Sequence, residues 1–122
     1  MLKSIAALLL ILNSATVYGQ FAEFSLDKKV HKFDHVEAGE QLECTFEITN
    51  TGDIPLILTS YDVACACTKA EYSKEPIAPG ASTIVTVSFD TTGKIGWQYR
   101  SVTLMANTKK PIELEIRVKV VG

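Results

Sequence analysis

The feature that most constrains the fold of this chain is a strict alternation of apolar and polar residues near its C-terminus. Apolar side chains occupy every second position of residues 112–120, and between them stand Glu113, Glu115, Arg117 and Lys119. A period of two places one set of side chains on each face of a β-strand. A helix would need apolar residues three and four positions apart, so this segment predicts a half-buried strand.

The same alternation recurs along the chain, and turn residues separate the repeats. Predicted strands cover residues 24–26, 30–36, 42–48, 54–61, 83–89, 102–106 and 112–120. Gly, Asn and Pro cluster between them at residues 38–40, 50–53, 78–80 and 92–94, where the backbone must reverse. About seven strands in roughly 100 residues predict an all-β, immunoglobulin-like β-sandwich. A closed barrel such as an OB-fold is the main alternative.

The first nineteen residues have the pattern of an N-terminal signal peptide. Lys3 is followed by an unbroken apolar stretch at residues 5–12 and then by Val17-Tyr18-Gly19. A small residue at the cleavage position suits a signal peptidase, which predicts cleavage near Gly19. The apolar stretch is shorter than the roughly 20 residues that span a bilayer, although an uncleaved anchor or a buried helix is the alternative. We therefore expect a bacterial protein that is periplasmic or secreted.

Residues 20–122 would then form a single domain, and their charge limits the classes of partner. Lys3 is the one charged residue of the signal segment, so the 12 basic side chains of the chain fall to 11 against 14 acidic ones, net −3. A mildly acidic surface with interleaved charges argues against nucleic acid as a partner. After the signal segment, no stretch is apolar and long enough to predict a membrane span.

The sharpest candidate for chemistry is the run Cys65-Ala66-Cys67. In an extended segment, both side chains would share a face, with Cα atoms about 6.5–7 Å apart, at or beyond the limit for an unstrained disulfide. That arrangement suits two thiolates on one soft metal ion, copper or zinc. Two thiolates alone do not complete a metal site. The further ligands would have to come from a partner, from Cys44, or from His31 and His35, which a regular strand would place on one face.

Other interpretations of the cysteines remain open. A turn could bring Cys65 and Cys67 close enough for a small-ring disulfide, or Cys44 could pair with either of them. Cys44 alternates with apolar residues, so it is predicted to be a small buried side chain of the core. Thiol exchange is a further alternative, although the CxxC motif at a helix start that usually lowers a thiol pKa is absent from the sequence.

Several motifs, in order, resemble the DUF1573 family. They are KFDHVEAGE at residues 32–40, FEITNTG at 46–52, PL at 55–56 followed by CACT at 65–68, EPIAPG at 75–80, and VSFD at 87–90. The resemblance covers about residues 31–120. It implies an exported bacterial domain with an immunoglobulin-like fold, similar to ASH and PapD-like modules, which bind other proteins. It implies no catalytic residue.

One position departs from the family pattern, which usually has Gly between the two cysteines where this chain has Ala66. Gly adopts positive φ freely, whereas Ala does so at a cost, so we expect negative φ at Ala66.

The sequence as a whole predicts a protein that is not an enzyme and has no cofactor of its own. It contains no nucleophile elbow and no carboxylate pair in a distinctive context. A protein-binding or structural module that works through sheet edges or end loops is the expected function. Binding of copper or zinc by Cys65 and Cys67 is the alternative. Trp97 is expected to be either a core anchor or an exposed contact residue.

Overall fold

The computed structural model describes residues 20–122, so the predicted signal peptide lies outside the described residues. In this range the chain forms eight β-strands, arranged as two separate four-stranded sheets. Two sheets that face each other are a β-sandwich, which confirms the predicted fold over the closed barrel. Within residues 20–122 there is no helix long and apolar enough to cross a membrane.

The first sheet has the order β1-β3-β6-β5 and is antiparallel throughout. Its strands are β1 (Phe24–Leu26), β3 (Gln41–Asn50), β6 (Ser82–Asp90) and β5 (Thr68–Glu71). The long central pair β3–β6 carries the predicted alternation, with Leu42 opposite Phe89 and Cys44 opposite Val87. Strand β5 was not predicted, because its four residues follow the cysteines directly and are too few to show a period.

The second sheet has the order β2-β8-β7-β4. Its strands are β2 (Val30–Glu37), β8 (Ile112–Val121), β7 (Gly96–Ala106) and β4 (Leu58–Val63). Strand β2 runs parallel to β8, whereas the β7–β8 and β4–β7 pairs are antiparallel. Strand β4 starts later than the predicted residue 54, because Pro55 lacks the N–H that a ladder needs and Leu56 instead bridges Ile77.

The core lies between the facing sheets and is built from the alternating apolar sets. Phe46, Ile48, Phe89 and Leu104 are fully buried, as are all five apolar residues of the C-terminal alternation. Burying one such side chain stabilises the fold by about 1.5–3 kcal/mol. Cys44 lies among them at 6% exposure, which confirms its predicted place in the core.

The sandwich has two distinct ends. At one end, the buried Asn50 side chain donates hydrogen bonds of 2.8 Å to the carbonyls of Ile54 and Ile77 and accepts one from the Gly52 N–H. At the other end, the Thr91 hydroxyl donates to the carbonyl of Glu40 and accepts from the Gly39 N–H. Residue 20 lies close to the Asn50 end and residue 122 to the Thr91 end.

The edges of both sheets are short or irregular. Strands β1 and β5 have three and four residues, and β2 and β4 are each interrupted by a register shift. The shift in β2 falls between Lys32 and His35, and it changes which face the following residues occupy. His31 pairs with the buried Ile116, whereas His35 pairs with Lys119 on the outer face. The expectation that the two histidines share one face is therefore wrong.

Candidate functional site

Cys65 and Cys67 lie where the chain crosses from one sheet to the other. Val63 ends β4 opposite Val102, and Thr68 begins β5 opposite Phe89. Only residues 64–67 join these two positions, so the backbone must turn sharply at the Thr91 end of the sandwich. Cys65 and Cys67 are therefore part of a tight crossover between the sheets.

The structure joins Cys65 and Cys67 in a disulfide. Their Cα atoms are 5.1 Å apart, well below the spacing of an extended segment and inside the normal range for a disulfide. The distance is shorter than expected for an extended segment because residues 66–67 form a turn. Of the alternatives drawn from the sequence, the small-ring disulfide between Cys65 and Cys67 is therefore the one that the structure contains. No non-glycine residue in the range 20–122 has positive φ, which confirms the expectation for Ala66.

Backbone hydrogen bonds fix this turn from both sides. The Thr68 N–H donates to the Cys65 carbonyl at 3.1 Å, and the Asp90 N–H of β6 donates to the Cys67 carbonyl at 2.9 Å. The Cys67 N–H points at the Cys65 Sγ, at a distance of 3.2 Å. Both cysteines are half-buried, and Cys67 packs against the core while Ala66 between them is exposed. The loop presents its two sulfurs at the rim of the sandwich.

Cys44 takes no part in this loop. It is a free thiol in the core, and burial raises its pKa from the ordinary 9.0 to about 11. A buried, protonated thiol is a poor nucleophile and a poor metal ligand. The alternative in which Cys44 pairs with Cys65 or Cys67 is not the arrangement in the structure.

The histidines do not complete a metal site with the cysteines. The crossover follows β4, whereas His31 and His35 lie on β2, at the opposite edge of the same sheet. The ring of His31 lies against that of Phe33, tilted by 58° with 4.6 Å between the centroids, and burial lowers the pKa of His31. Within residues 20–122, no group of three metal-ligating side chains comes together. Ligation of copper or zinc by Cys65 and Cys67 stays a prediction, and it would need the reduced cysteines and further ligands from outside this part of the chain.

A second candidate site lies on the outer face of the second sheet. Two rows of side chains cross β2, β8 and β7 there. We call these six residues the aromatic face: Lys32, Arg117 and Tyr99 in one row, and His35, Lys119 and Trp97 in the next. Trp97 is 61% exposed and Tyr99 57%, so Trp97 is a surface residue and not a core anchor.

Cations stand beside both rings of the aromatic face. The Lys119 Nζ lies 6.0 Å from the centroid of the Trp97 ring, and the Arg117 Cζ lies 5.8 Å from that of Tyr99. Arg117 also forms an ion pair of 2.9 Å with Glu115. Such exposed pairs contribute only about 0.5–1 kcal/mol each, so they orient the rings more than they stabilise the fold.

A groove of about 320 Å³ runs between β2 and β7 on this face. It is lined by Lys32, Phe33, Asp34, Trp97, Tyr99 and Arg117. The signal for this site was present in the sequence. Trp97 and Tyr99 precede Val102 by five and three residues. Because these separations are odd, an unbroken strand places both rings on the face opposite the core residue Val102.

Arg100 is a residue that the sequence reasoning missed. It pairs with Ile116 and therefore points between the sheets, where its guanidinium lies 5.1 Å from the centroid of the Phe89 ring. Its Nε is buried and has no hydrogen-bond partner among residues 20–122. Arg100 thus extends the core through its aliphatic part and caps the Phe89 ring.

Comparison with known families settles the relationship of this chain. Residues 24–120 match the family described as "Protein of unknown function (DUF1573)". The chain belongs to the DUF1573 family. The match confirms the resemblance drawn from the sequence motifs. No curated protein matches the chain.

Solved structures with the same fold include three that differ widely in source. A protein of unknown function from Porphyromonas gingivalis W83 is 19% identical with a TM-score of 0.71; the match covers 88% of this chain and 50% of that one. The PapD-like domain 7 of human CEP192 is 12% identical, with a TM-score of 0.64 and coverage of 88% and 92%. The Vibrio cholerae VesB protease is 18% identical, with a TM-score of 0.63 and coverage of 81% and 32%.

At these identities the likeness shows the fold alone. The match spans about half the length of the P. gingivalis protein and a third of the protease. The DUF1573 domain is thus an immunoglobulin-like β-sandwich, and its fold is similar to that of the PapD-like domain.

Proposed function

We propose that this DUF1573 domain is an exported module that binds another protein through the aromatic face. The observation that carries the proposal is the exposure of Trp97 and Tyr99 side by side on one strand. Met105 lies on the same outward face of β7 at 43% exposure, and Ile95, which is 69% exposed, immediately precedes the strand. Aromatic residues and arginine dominate the energetic centres of protein interfaces, and monomers rarely expose such apolar sets without a partner.

The face of a sheet supports binding better than its edges do. Adding a strand to an edge requires a long, regular row of free backbone groups. Strands β1 and β5 are too short to offer one, and the register shifts in β2 and β4 interrupt theirs. By contrast, four of the six residues of the aromatic face lie on the regular pair β7–β8, whose register runs without a shift from Gly96 to Leu104.

The charges of the face favour an acidic partner surface. Lys32, Arg117 and Lys119 stand among the aromatic rings, against Asp34 in the groove and Glu115 in its ion pair with Arg117. Basic groups are in excess here, although the chain as a whole is acidic at net −2. Complementary charge steers association and suppresses wrong partners, so the proposed occupant is a protein segment rich in Asp and Glu.

Site-specific photo-crosslinking in the producing cells tests the proposal. A benzophenone amino acid replaces Tyr99 on the aromatic face or, as the control, Ile84, which is 49% exposed on the outer face of the first sheet. We expect discrete protein adducts from position 99 and none from position 84. Equal adducts at both positions, adducts that contain glycan instead of protein, or no adduct at position 99 would each contradict the proposal.

A further inference from the structure

The Cys65–Cys67 disulfide does not hold the fold together. It closes a loop of three residues inside one turn and links neither sheet to the other. A cross-link gains stability from the chain entropy that it removes, and that gain is smallest for the shortest loops. The two sheets are already joined by the crossover itself and by the core beneath it. The disulfide can therefore be opened without loss of the sandwich.

The geometry of the turn does not depend on the disulfide either. The Cys65 and Cys67 carbonyls accept hydrogen bonds from the N–H groups of Thr68 and Asp90, so the backbone is fixed on both sides of Ala66. Neither bond involves a sulfur atom, so reduction of the disulfide breaks neither of them. The 5.1 Å between the Cα atoms is within disulfide range, so a turn held in this form arranges the dithiol to close again.

The two sulfurs have different surroundings. The Cys67 N–H, 3.2 Å from the Cys65 Sγ, stabilises negative charge on that sulfur. Cys67 packs against the core, and its Sγ lies 3.7 Å from the Thr68 hydroxyl. Cys65 is therefore suited to be the attacking thiolate, and Cys67 to be the sulfur that resolves the product.

From these three features we infer that Cys65 and Cys67 form a thiol–disulfide exchange site for protein disulfides. In the dithiol form, the Cys65 thiolate attacks a disulfide of the substrate protein, forms a mixed disulfide and releases one substrate thiolate. The Cys67 thiol then loses its proton and attacks the Cys65 sulfur, which closes the Cys65–Cys67 disulfide and releases the second substrate thiolate. The substrate gains two electrons and two protons, and a dithiol protein of the same compartment returns them to the chain.

The test uses the purified full-length chain, reduced with dithiothreitol and desalted, and a self-quenched fluorescent derivative of glutathione disulfide as the probe. We expect the wild type to release fluorescence and to end as the Cys65–Cys67 disulfide. Cys65→Ser should lower the rate by at least about tenfold, because a hydroxyl cannot replace the thiolate nucleophile. Cys67→Ser should stop at a stable mixed disulfide, seen as one glutathionyl group in the intact mass and mapped to Cys65.

A matched control and two further readouts separate exchange from other thiol properties. Cys44→Ala removes the buried thiol and should leave the rate unchanged, while thermal unfolding checks that each variant is folded. A Cys65→Ser rate equal to wild type, or glutathionylation at Cys44, would overturn the inference. So would a reduced chain that takes up one copper or zinc ion per molecule and does not react with the probe. The proposal on the aromatic face stands or falls separately, since none of these variants touches it.

Discussion

At the scale of single residues, the three cysteines differ because of where the backbone places them. Cys44 lies on the inward face of β3, whereas Cys65 and Cys67 lie in the turn between β4 and β5. The alternation around Cys44 was sufficient to predict its burial. The pairing of the other two was not predictable, because the distance between them depends on a turn whose form comes from hydrogen bonds to β5 and β6.

Burial of the Cys44 thiol makes stability depend on alkaline pH. Its pKa is about 11 in the folded chain, against 9.0 when exposed, so the unfolded state loses the proton first as pH rises. The buried, protonated thiol makes its full contribution to stability below pH 9, and this contribution is lost as the pH rises from 9 to 11. The loss amounts to up to about 2–3 kcal/mol in the free energy of unfolding. Urea titrations of wild type and Cys44→Ala across this range should show a steeper decline for the wild type; parallel curves would refute the assignment.

At the scale of elements, strand β7 contributes to both the core and the aromatic face, because alternate residues point to opposite sides of the sheet. Its even-numbered residues, such as Val102 and Leu104, face inward, and its odd-numbered residues, such as Trp97 and Tyr99, face outward. The alternation rule predicted β3, β6 and β8 to within two residues, whereas it found only residues 102–106 of β7, which begins at Gly96. It failed at β2, where the register shift between Lys32 and His35 cannot be seen in a pattern of mixed polar residues.

Reversing charge on the aromatic face should weaken binding without harm to the fold. In Lys32→Glu/Lys119→Glu, two cations beside the rings become anions, which repel an acidic partner. We expect the crosslinked adduct at position 99 to fall by at least about tenfold, while the free energy of unfolding changes by less than about 1 kcal/mol. Lys69→Glu, on the outward side of β5 in the other sheet, is the control. An undiminished adduct in the double variant would count against an acidic partner.

At the scale of the whole molecule, stability comes from the two facing sheets and little from the covalent cross-link. The chain-entropy relation gives about 1.6 kcal/mol for a three-residue loop, a small share of the roughly 5–15 kcal/mol typical of a domain. Urea unfolding with and without dithiothreitol should therefore differ by about 1–2 kcal/mol, and Cys65→Ser/Cys67→Ser should match the reduced wild type. Loss of folding on reduction would show that the disulfide is structural.

The two ends of the sandwich also give the domain a direction. Residue 20 lies at the Asn50 end and residue 122 at the Thr91 end, separated by the nine residues of β6, or roughly 30 Å. If the domain is tethered through residue 20, the cysteine turn becomes the tip farthest from the attachment point. A tether at residue 122 would instead hold the sulfurs against whatever carries it. The side of attachment therefore decides whether this tip reaches outward to passing molecules or serves only its immediate neighbour.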